Sequence, residues 1–200
     1  MESYRQQSSK YQLNKREINS VLSTISKIFE RIMLSQINVY MTDKLSPFLC
    51  GFRKGMSSQH SLLYLIEKIK KSMDKSEEYG IVLTDLSKAF DCLPHDLLIA
   101  KLHSYGFDYL SLKLIYSYLS NRFQRVKVNS NFSSWYENSS GVPQGSILGP
   151  TFYNIDSNDL FLFCLIDICN FADDNSPFSV ASTIPKVLKH LETETYSLLN

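Results

Sequence analysis

The sequence predicts an α+β fold, and three observations lead to that prediction. Apolar residues recur at helical spacing through much of the chain before Lys75. At Tyr79 the pattern changes to a short run of strand-forming residues. A second strand-forming run leads into the adjacent carboxylates Asp173 and Asp174. Helices and strands mix without the regular alternation of a parallel sheet, which favours α+β.

The front of the chain is predicted to be helical. Residues 1–13 are polar and are predicted to form a loose lead. From about Ser20 the apolar positions predict an amphipathic helix that ends near Lys44. A basic loop bracketed by glycines, residues 50–55, precedes a second helical pattern over Leu62–Met73.

The remainder of the chain is predicted to alternate between strands and helices. Residues 79–84 have the composition of a buried strand that ends in Asp85. The elements predicted after it are helices over 94–105 and 109–119, a hairpin over 123–137, a glycine-rich loop over 141–149, a helix over 150–163, a hairpin around Asp173 and a last helix over 184–199.

The composition is that of an ordinary globular protein of one domain or two small subdomains, with 44% apolar and 20% charged residues among 200. No apolar run approaches the roughly 20 residues that cross a bilayer, and the N-terminus lacks a signal peptide's apolar core. The four cysteines have no metal-site spacing and are interpreted as free thiols. We therefore expect a soluble, intracellular protein without a membrane partner, in the nucleus or the cytoplasm.

The net charge of +1 hides an asymmetry along the chain. Residues 1–75 carry 13 Lys and Arg against 6 Asp and Glu, whereas residues 76–200 carry 8 against 14. A basic front and an acidic back suit a protein that meets phosphates with one part and metals with the other. Ordinary scatter of solvated charge is the alternative explanation.

The carboxylates Asp85, Asp173 and Asp174 are the candidates for chemistry. Adjacent ionised carboxylates repel each other, so a site that keeps both charged usually supplies a cation. Mg²⁺ suits that role because it takes hard oxygen ligands. If the two strands are neighbours, Asp85 and Asp173 could face each other and hold two cations, as in phosphoryl transfer. A surface Asx turn is the alternative for Asp173 and Asp174 alone.

Five motifs in this order resemble the reverse transcriptase domain of non-LTR (LINE-type) retrotransposons. They are Asn14–Met33, Gly51–Gly55, Asp85–Asp91, Gly141–Pro150 and Phe171–Asp174. The resemblance implies the fingers and palm of a right-hand polymerase, with a fingers-like helical region at 14–78 and a palm subdomain at 79–200. The implied palm is a small antiparallel sheet backed by helices. The thumb is expected to be absent, because the sequence stops at Asn200.

The resemblance also implies roles for the acidic residues and one aromatic residue. Asp85 and Asp173 would be the main ligands of two Mg²⁺ ions, with Mn²⁺ as an alternative, and Asp174 an accessory carboxylate. Phe90 would be the steric gate, whose ring leaves no room for the 2′-OH of an rNTP. Without that context, Phe90 would be interpreted as a core residue.

Four further residues would bind substrate if the resemblance holds. Gln144 and Gly145 would pack under the nucleotide and the template base, where glycine permits close backbone approach. Arg16 and Arg53 would contact the triphosphate, because a guanidinium can donate two parallel hydrogen bonds to phosphate oxygens. Solvated charges and a plain helix-entry loop are the alternative interpretations of these positions.

The implied function is RNA-directed DNA polymerisation, with an RNA template, a DNA primer and dNTPs as partners. The strongest alternative is a truncated, catalytically inactive retrotransposon relic that at most binds nucleic acid. Arg16–Asn19 departs from the family pattern, which usually has a proline at this point. An RNA-dependent RNA polymerase usually has Gly before the Asp pair and a polar residue for the 2′-OH, where this chain has Ala172 and Phe90. A phosphatase built on Asp85 would need a second acid two residues later.

Overall fold

The computed structural model describes residues 23–85, 90–128, 130–143, 145–163 and 165–199. For residues 85, 127, 128 and 197–199, the structure describes the backbone and not the side chains. The predicted lead at 1–13 lies outside the described ranges.

The helices of the described ranges follow the predicted order. They are α1 (Thr24–Met41), α2 (Ser58–Asp74), α3 (His95–Ser104), α4 (Tyr109–Leu119), α5 (Gly149–Ser157), α6 (Leu160–Phe163) and α7 (Ile184–Leu199). Ser23 caps α1, because its hydroxyl accepts a hydrogen bond from the Ser26 amide at 3.2 Å. None of the helices in these ranges is both long and apolar enough to cross a membrane.

The helix predicted over 150–163 is interrupted between α5 and α6. Asn158 lies at the break, is 1% exposed, and uses its side chain in long-range hydrogen bonds. Its Oδ1 accepts from the Ser46 amide at 2.7 Å, and its Nδ2 donates to the Tyr105 hydroxyl at 2.7 Å. The helix prediction was wrong at this point, because these tertiary contacts are not visible in local periodicity.

The main sheet is antiparallel and is built around one long strand. Its members are β1 (Glu78–Ile81), β2 (Thr84–Asp85), β7 (Asp167–Phe171) and β8 (Asp174–Ala181). β7 pairs with one edge of β8, while β1 and β2 pair in succession with the other edge. The strand predicted over 79–84 is thus divided into two short strands, β1 and β2, which both pair with β8.

The predicted hairpin over 123–137 is a two-part ribbon. β3 (Phe123–Gln124) pairs with β6 (Tyr136–Glu137), and β4 (Lys127–Val128) pairs with β5 (Asn131–Phe132). Further hydrogen bonds link Asn138 N to Arg122 O at 2.7 Å and Ser133 N to Val126 O at 2.9 Å. The hairpin prediction is confirmed.

The hydrophobic core joins α1 to α3, α4 and α5. Its buried members are Met33, Ile37, Met41, Leu93, Leu98, Leu102, Ile115, Leu119, Val142, Leu148, Phe152 and Ile155. These residues come from both sides of position 78, so one core unites the two predicted regions. The division at 78 stays a prediction.

Two helices pack against the sheet. Tyr64 and Lys68 of α2 both contact the Asp167 carboxylate of β7 at 2.6 Å. On α7, Val187 and Leu191 approach Gly80 of β1 so closely that a Cβ there would lie 2.8 and 2.9 Å from their side chains. The sheet is therefore held in place by helices from the front and the end of the chain.

Candidate active site

The two-residue turn Ala172–Asp173 joins β7 to β8 and carries the adjacent carboxylates. Phe171 pairs with Asp174 across the turn, and Ala172 adopts a left-handed backbone with φ of 57°. Ala172 is buried, Asp173 is half-buried, and Asp174 is exposed. The predicted hairpin is confirmed, and it presents both acids at one end of the sheet.

The third predicted acid reaches the same end of the sheet through its backbone. Asp85 is the Cα partner of Asp174, and Thr84 is the partner of Asn175. The strands that deliver Asp85 and Asp174 are therefore neighbours, as the two-cation hypothesis requires. The side chain of Asp85 lies outside the description.

A buried asparagine holds the turn in shape. Asn170 is 1% exposed, and its Nδ2 donates to Ala172 O at 2.8 Å and to Asn175 Oδ1 at 3.0 Å. Its Oδ1 accepts from the Cys50 amide at 3.3 Å. Buried polar networks of this kind rigidify a structure when every member is satisfied. The position of Asp173 is thus fixed by side chains on both strands.

Gly51 packs directly on the turn. A Cβ at Gly51 would lie 2.2 Å from the Ala172 nitrogen, so only glycine allows this approach. The Gly51 carbonyl accepts a hydrogen bond from Asn154 Nδ2 of α5 at 2.8 Å. The predicted Gly51–Gly55 motif is therefore in contact with the Asp-Asp turn.

Phe90 lies in an aromatic cluster next to the carboxylates. Its ring centroid is 5.8 Å from that of Phe52 and 5.2 Å from that of Tyr153. The Tyr153 hydroxyl is buried and has no hydrogen-bond partner among the described residues. Burial raises the pKa of Tyr153 to about 12, and the negative charge of Asp173 adds to that effect. Tyr153 therefore has a neutral hydroxyl beside the acidic turn.

The glycine-rich loop over 141–149 packs against the segment that follows Phe90. The amides of Gly141 and Val142 donate to Leu93 O and Phe90 O at 2.7 and 2.9 Å. Gly141 has a φ of 76°, and a Cβ there would lie 2.5 Å from Asp91 O. Gly145 is exposed with a φ of 85°. Gln144, the other predicted residue of this loop, lies outside the described residues.

A buried glutamate in α1 holds the second half of that loop. Glu30 is 0% exposed and accepts hydrogen bonds from Ile147 N at 2.6 Å and from the Tyr118 hydroxyl at 2.9 Å. The Tyr118 hydroxyl also lies 3.0 Å from Ser146 Oγ. Burial raises the pKa of Tyr118 to about 12, opposed by the Ser146 hydrogen bond and supported by the charge of Glu30. Tyr118 therefore stays neutral and links α4 to the loop.

The surroundings of Arg53 give no direct support to its predicted role as a triphosphate ligand. The half-buried Arg53 guanidinium donates to three backbone carbonyls, those of Ser46 at 2.6 Å, Leu49 at 3.3 Å and Thr42 at 3.4 Å. It thereby ties the loop after α1 together. Arg16 lies outside the described residues. The substrate roles of both arginines stay predictions.

The donor chemistry at the turn fits a hard divalent cation. Asp173 and Asp174 offer carboxylate oxygens at adjacent positions, and the backbone of Asp85 is next to them. Among the side chains that the structure describes, no three His, Cys, Asp or Glu groups form a metal site, and Asp85 is not in that set.

The sequence motifs did not predict two residues that support this site. Glu30 shares the buried stripe of α1 with Met33, Ile37 and Met41, so an acid on an otherwise apolar helix face was a readable signal. Asn170 occupies a buried strand position, where an amide needs partners. Nothing in the local sequence identifies those partners.

Comparison with known proteins gives the family. The family model described as reverse transcriptase (RNA-dependent DNA polymerase) matches residues 9–195. A probable RNA-directed DNA polymerase from transposon BS of Drosophila melanogaster is 35% identical over 143 residues, which are 70% of this chain and 16% of that protein. The probable RNA-directed DNA polymerase from transposon X-element of the same species is 32% identical over 163 residues, 78% of this chain and 18% of that protein. The RNA-directed DNA polymerase from mobile element jockey of Drosophila funebris is 32% identical over 143 residues, 70% of this chain and 16% of that protein. The chain thus spans about a sixth of the length of these relatives.

Solved structures with the same fold include two telomerases. That of Candida tropicalis, truncated from its C-terminal domain, superposes with a TM-score of 0.57 at 13% identity over 84% of this chain and 36% of that chain. That of Candida albicans gives 0.55 at 15% identity over 86% of this chain and 32% of that chain. These likenesses concern the fold, which is α+β with a small antiparallel sheet. Because the family model covers nearly the whole sequence and the curated relatives agree with it, the chain belongs to the reverse transcriptase (RNA-dependent DNA polymerase) family of non-LTR retrotransposons.

Proposed function

We propose that this chain is the fingers and palm part of an RNA-directed DNA polymerase, with its nucleotidyl-transfer site at Asp85, Asp173 and Asp174. The observation that carries the proposal is the pairing of Asp85 with Asp174, one residue from the turn position Asp173. Directly opposite residues of an antiparallel pair share one face, with Cβ atoms about 4.5–5.5 Å apart. Three carboxylates at one sheet end are what a two-cation site needs.

In this proposal, Asp85 and Asp173 hold two Mg²⁺ ions, with Mn²⁺ as an alternative, and Asp174 assists. When bound, the two ions would stabilise the charge on the attacking and leaving oxygens of an in-line phosphoryl transfer. The contribution of the chain is to keep the acids in place. Asn170 and Gly51 serve that purpose, because both contact the backbone of Ala172.

The reaction is the addition of a dNTP to a DNA primer on an RNA template. The primer 3′-OH attacks the α-phosphate, a new oxygen–phosphorus bond forms, and pyrophosphate leaves. Positioning supplies much of the rate enhancement in such transfers. The names of the relatives, RNA-directed DNA polymerases, support this substrate class.

The proposed steric gate is Phe90. Its ring is held between Phe52 and Tyr153, so it cannot easily turn away from an incoming sugar. Gly145 and Gln144 would lie under the nucleotide. Arg16 and Arg53 would bind the triphosphate. Arg53 would do so with the N–H groups that do not donate to its three backbone carbonyl partners.

The proposed division assigns residues 14–78 to the fingers and 79–200 to the palm. The packing of α7 on β1 supports a palm sheet backed by a helix of the palm, and α2 of the proposed fingers packs on β7. Because the core of α1, α3, α4 and α5 continues across position 78, fingers and palm would move as one unit.

The test is extension of a DNA primer on an RNA template by the purified chain, with Mg²⁺ and either dNTPs or rNTPs. We expect extension with dNTPs only, and a loss of more than about a hundredfold in Asp173→Asn, which removes a ligand charge. Asp74→Asn, an exposed acid at the end of α2, is the matched control and should retain activity.

Two outcomes would count against the proposal. Extension that survives in Asp173→Asn would remove this residue from the site. Absence of extension in a folded parent chain that still binds RNA would favour the inactive relic.

A further inference from the structure

The ribbon over 122–138 exposes an unusual amount of aromatic surface. Phe123 is 57% exposed, Phe132 52%, Trp135 61% and Tyr136 69%. Phe132 and Trp135 form one aromatic patch, since both rings lie against the Arg125 side chain, and exposed apolar patches on soluble proteins mark interaction sites more often than single exposed residues do.

A cation lies within this aromatic patch. The Arg125 guanidinium is 4.0 Å from the ring centroid of Phe132 and 4.5 Å from that of Trp135. Both distances are within the range of cation–π attraction. Arg125 is itself exposed, so its N–H groups remain accessible at the patch. The stack therefore presents flat rings and a hydrogen-bond donor for anions side by side.

The charge of the ribbon agrees with an anionic partner. Its sequence contains three cations, Arg122, Arg125 and Lys127, against the single carboxylate Glu137. Arg122 is half-buried and donates to the Tyr118 carbonyl at 3.0 Å, so Arg125 is the cation that lies at the aromatic patch. Stacking rings beside cations are the combination with which proteins bind single-stranded nucleic acid. The bases of a duplex are already stacked on each other, so only an unpaired strand can use these rings.

The ribbon is also continuous with the candidate active site. Its base closes where Asn138 N donates to Arg122 O, and three residues later Gly141 begins the loop that packs on the segment after Phe90. The short connection means that a strand held by the ribbon stays close to that loop.

We propose that the ribbon is a docking surface for single-stranded RNA, with Trp135 and Arg125 as its central contacts. The proposal rests on the proposed function for the identity of the strand, which would be the unpaired template. Bases would stack on Trp135, and the Arg125 guanidinium would contact the phosphates.

The sequence supplies its own probe, because Trp135 is the only tryptophan among the 200 residues. Titration of the parent chain with a 12-nucleotide oligouridylate should quench Trp135 fluorescence in a saturable way that weakens with added salt. The corresponding RNA duplex should leave the fluorescence nearly unchanged. Anisotropy of the labelled oligonucleotide gives the affinity independently of tryptophan.

The variants test the surface without disturbing the core. Trp135→Ala should weaken binding about tenfold, within the range for loss of one stacking partner. Trp135→Phe keeps a flat ring and should retain most of the affinity. Tyr109→Ala is the matched control, since Tyr109 is an aromatic residue, 74% exposed, at the opposite end of α4 from the ribbon.

Three results would overturn the proposal. The first is no RNA binding by the parent chain. The second is binding with unchanged Trp135 fluorescence and equal affinities in Trp135→Ala and Tyr109→Ala. The third is self-association of the parent, measured by sedimentation, that Trp135→Ala abolishes while RNA binding is unaffected. Asp173→Asn should bind RNA as the parent does, so failure of polymerisation and failure of the ribbon are separable.

Discussion

Glu30 is a carboxyl with no exposed surface in a helix stripe that is otherwise apolar. Burying such a group is costly unless hydrogen bonds satisfy it. Its two partners, Ile147 N and the Tyr118 hydroxyl, belong to the glycine-rich loop and to α4. Glu30 therefore joins the front of the chain to a loop more than a hundred residues away, and this explains its burial.

We expect Glu30→Ala to lower the free energy of unfolding by about 3 kcal/mol, because it leaves the Ile147 amide and the Tyr118 hydroxyl with one acceptor fewer. Glu30→Gln keeps the shape and one acceptor oxygen, so its loss should be smaller. Urea denaturation measures both. Glu67→Ala on the exposed face of α2 is the control and should cost less than about 0.5 kcal/mol. Equal losses in Glu30→Ala and Glu67→Ala would show that the buried contacts do not stabilise the fold.

At the scale of elements, the turn between β7 and β8 depends on its neighbours. Gly51 approaches the Ala172 backbone of the turn, and the Asn170 side chain donates a hydrogen bond to the Ala172 carbonyl. Helix α5 contacts Gly51 in turn, through a hydrogen bond from its side chain at position 154. A two-residue turn with Ala at a position of φ 57° is unfavourable in isolation. Surrounding contacts must therefore impose that conformation, and the close approach of Gly51 to the Ala172 backbone is one of them.

Gly51→Ala should lower the free energy of unfolding by about 3 kcal/mol, because the new Cβ meets the Ala172 backbone, which cannot rotate away as a side chain could. Gly55→Ala in the same loop is the comparison. Its Cβ would have open space, and only the φ of 84° is strained, so we expect a loss of about 1 kcal/mol. Thermal or urea unfolding distinguishes them. A larger loss at Gly55 would mean that the close approach at Gly51 is relieved by movement of the loop.

Much of the element structure could be predicted from the sequence, for physical reasons. Helices α4 and α7 and the β7–β8 hairpin follow from periodicity and turn residues, which are local signals. The break at Asn158 and the split between β1 and β2 depend on distant partners, so local patterns cannot reveal them. The same holds for the site: the acids were predicted from motifs, whereas the contacts of Asn170 and Glu30 join positions far apart in sequence.

At the scale of the whole molecule, a cluster of charges joins α3 to the end of α5 and to the break before α6. Lys101 Nζ lies 2.8 Å from Asp156 Oδ1 and 3.0 Å from Asp159 Oδ2, and the lysine side chain is only 16% exposed. Burial alone would lower the pKa of Lys101, but its hydrogen bonds with the two carboxylates outweigh burial and raise the pKa above its ordinary value of 10.5. The two carboxylates lie on either side of the break at Asn158, so the cluster holds this part of the chain against α3.

The raised pKa of Lys101 gives a pH dependence with a definite sign. A group whose pKa is higher in the folded state stabilises that state fully below its unfolded value, here 10.5, and the contribution is lost as pH rises through the folded value. Lys101→Met removes the cation and leaves Asp156 and Asp159 to repel each other, so we expect a loss of about 2 kcal/mol at pH 7. Lys113→Met, at an exposed position of α4, should lose less than about 0.5 kcal/mol. Urea denaturation at pH 7, 9 and 11 should show a constant difference between parent and Lys101→Met at the two lower values and a smaller one at pH 11. A difference that grows at pH 11 would mean that the lysine is not held in its charged form by these carboxylates.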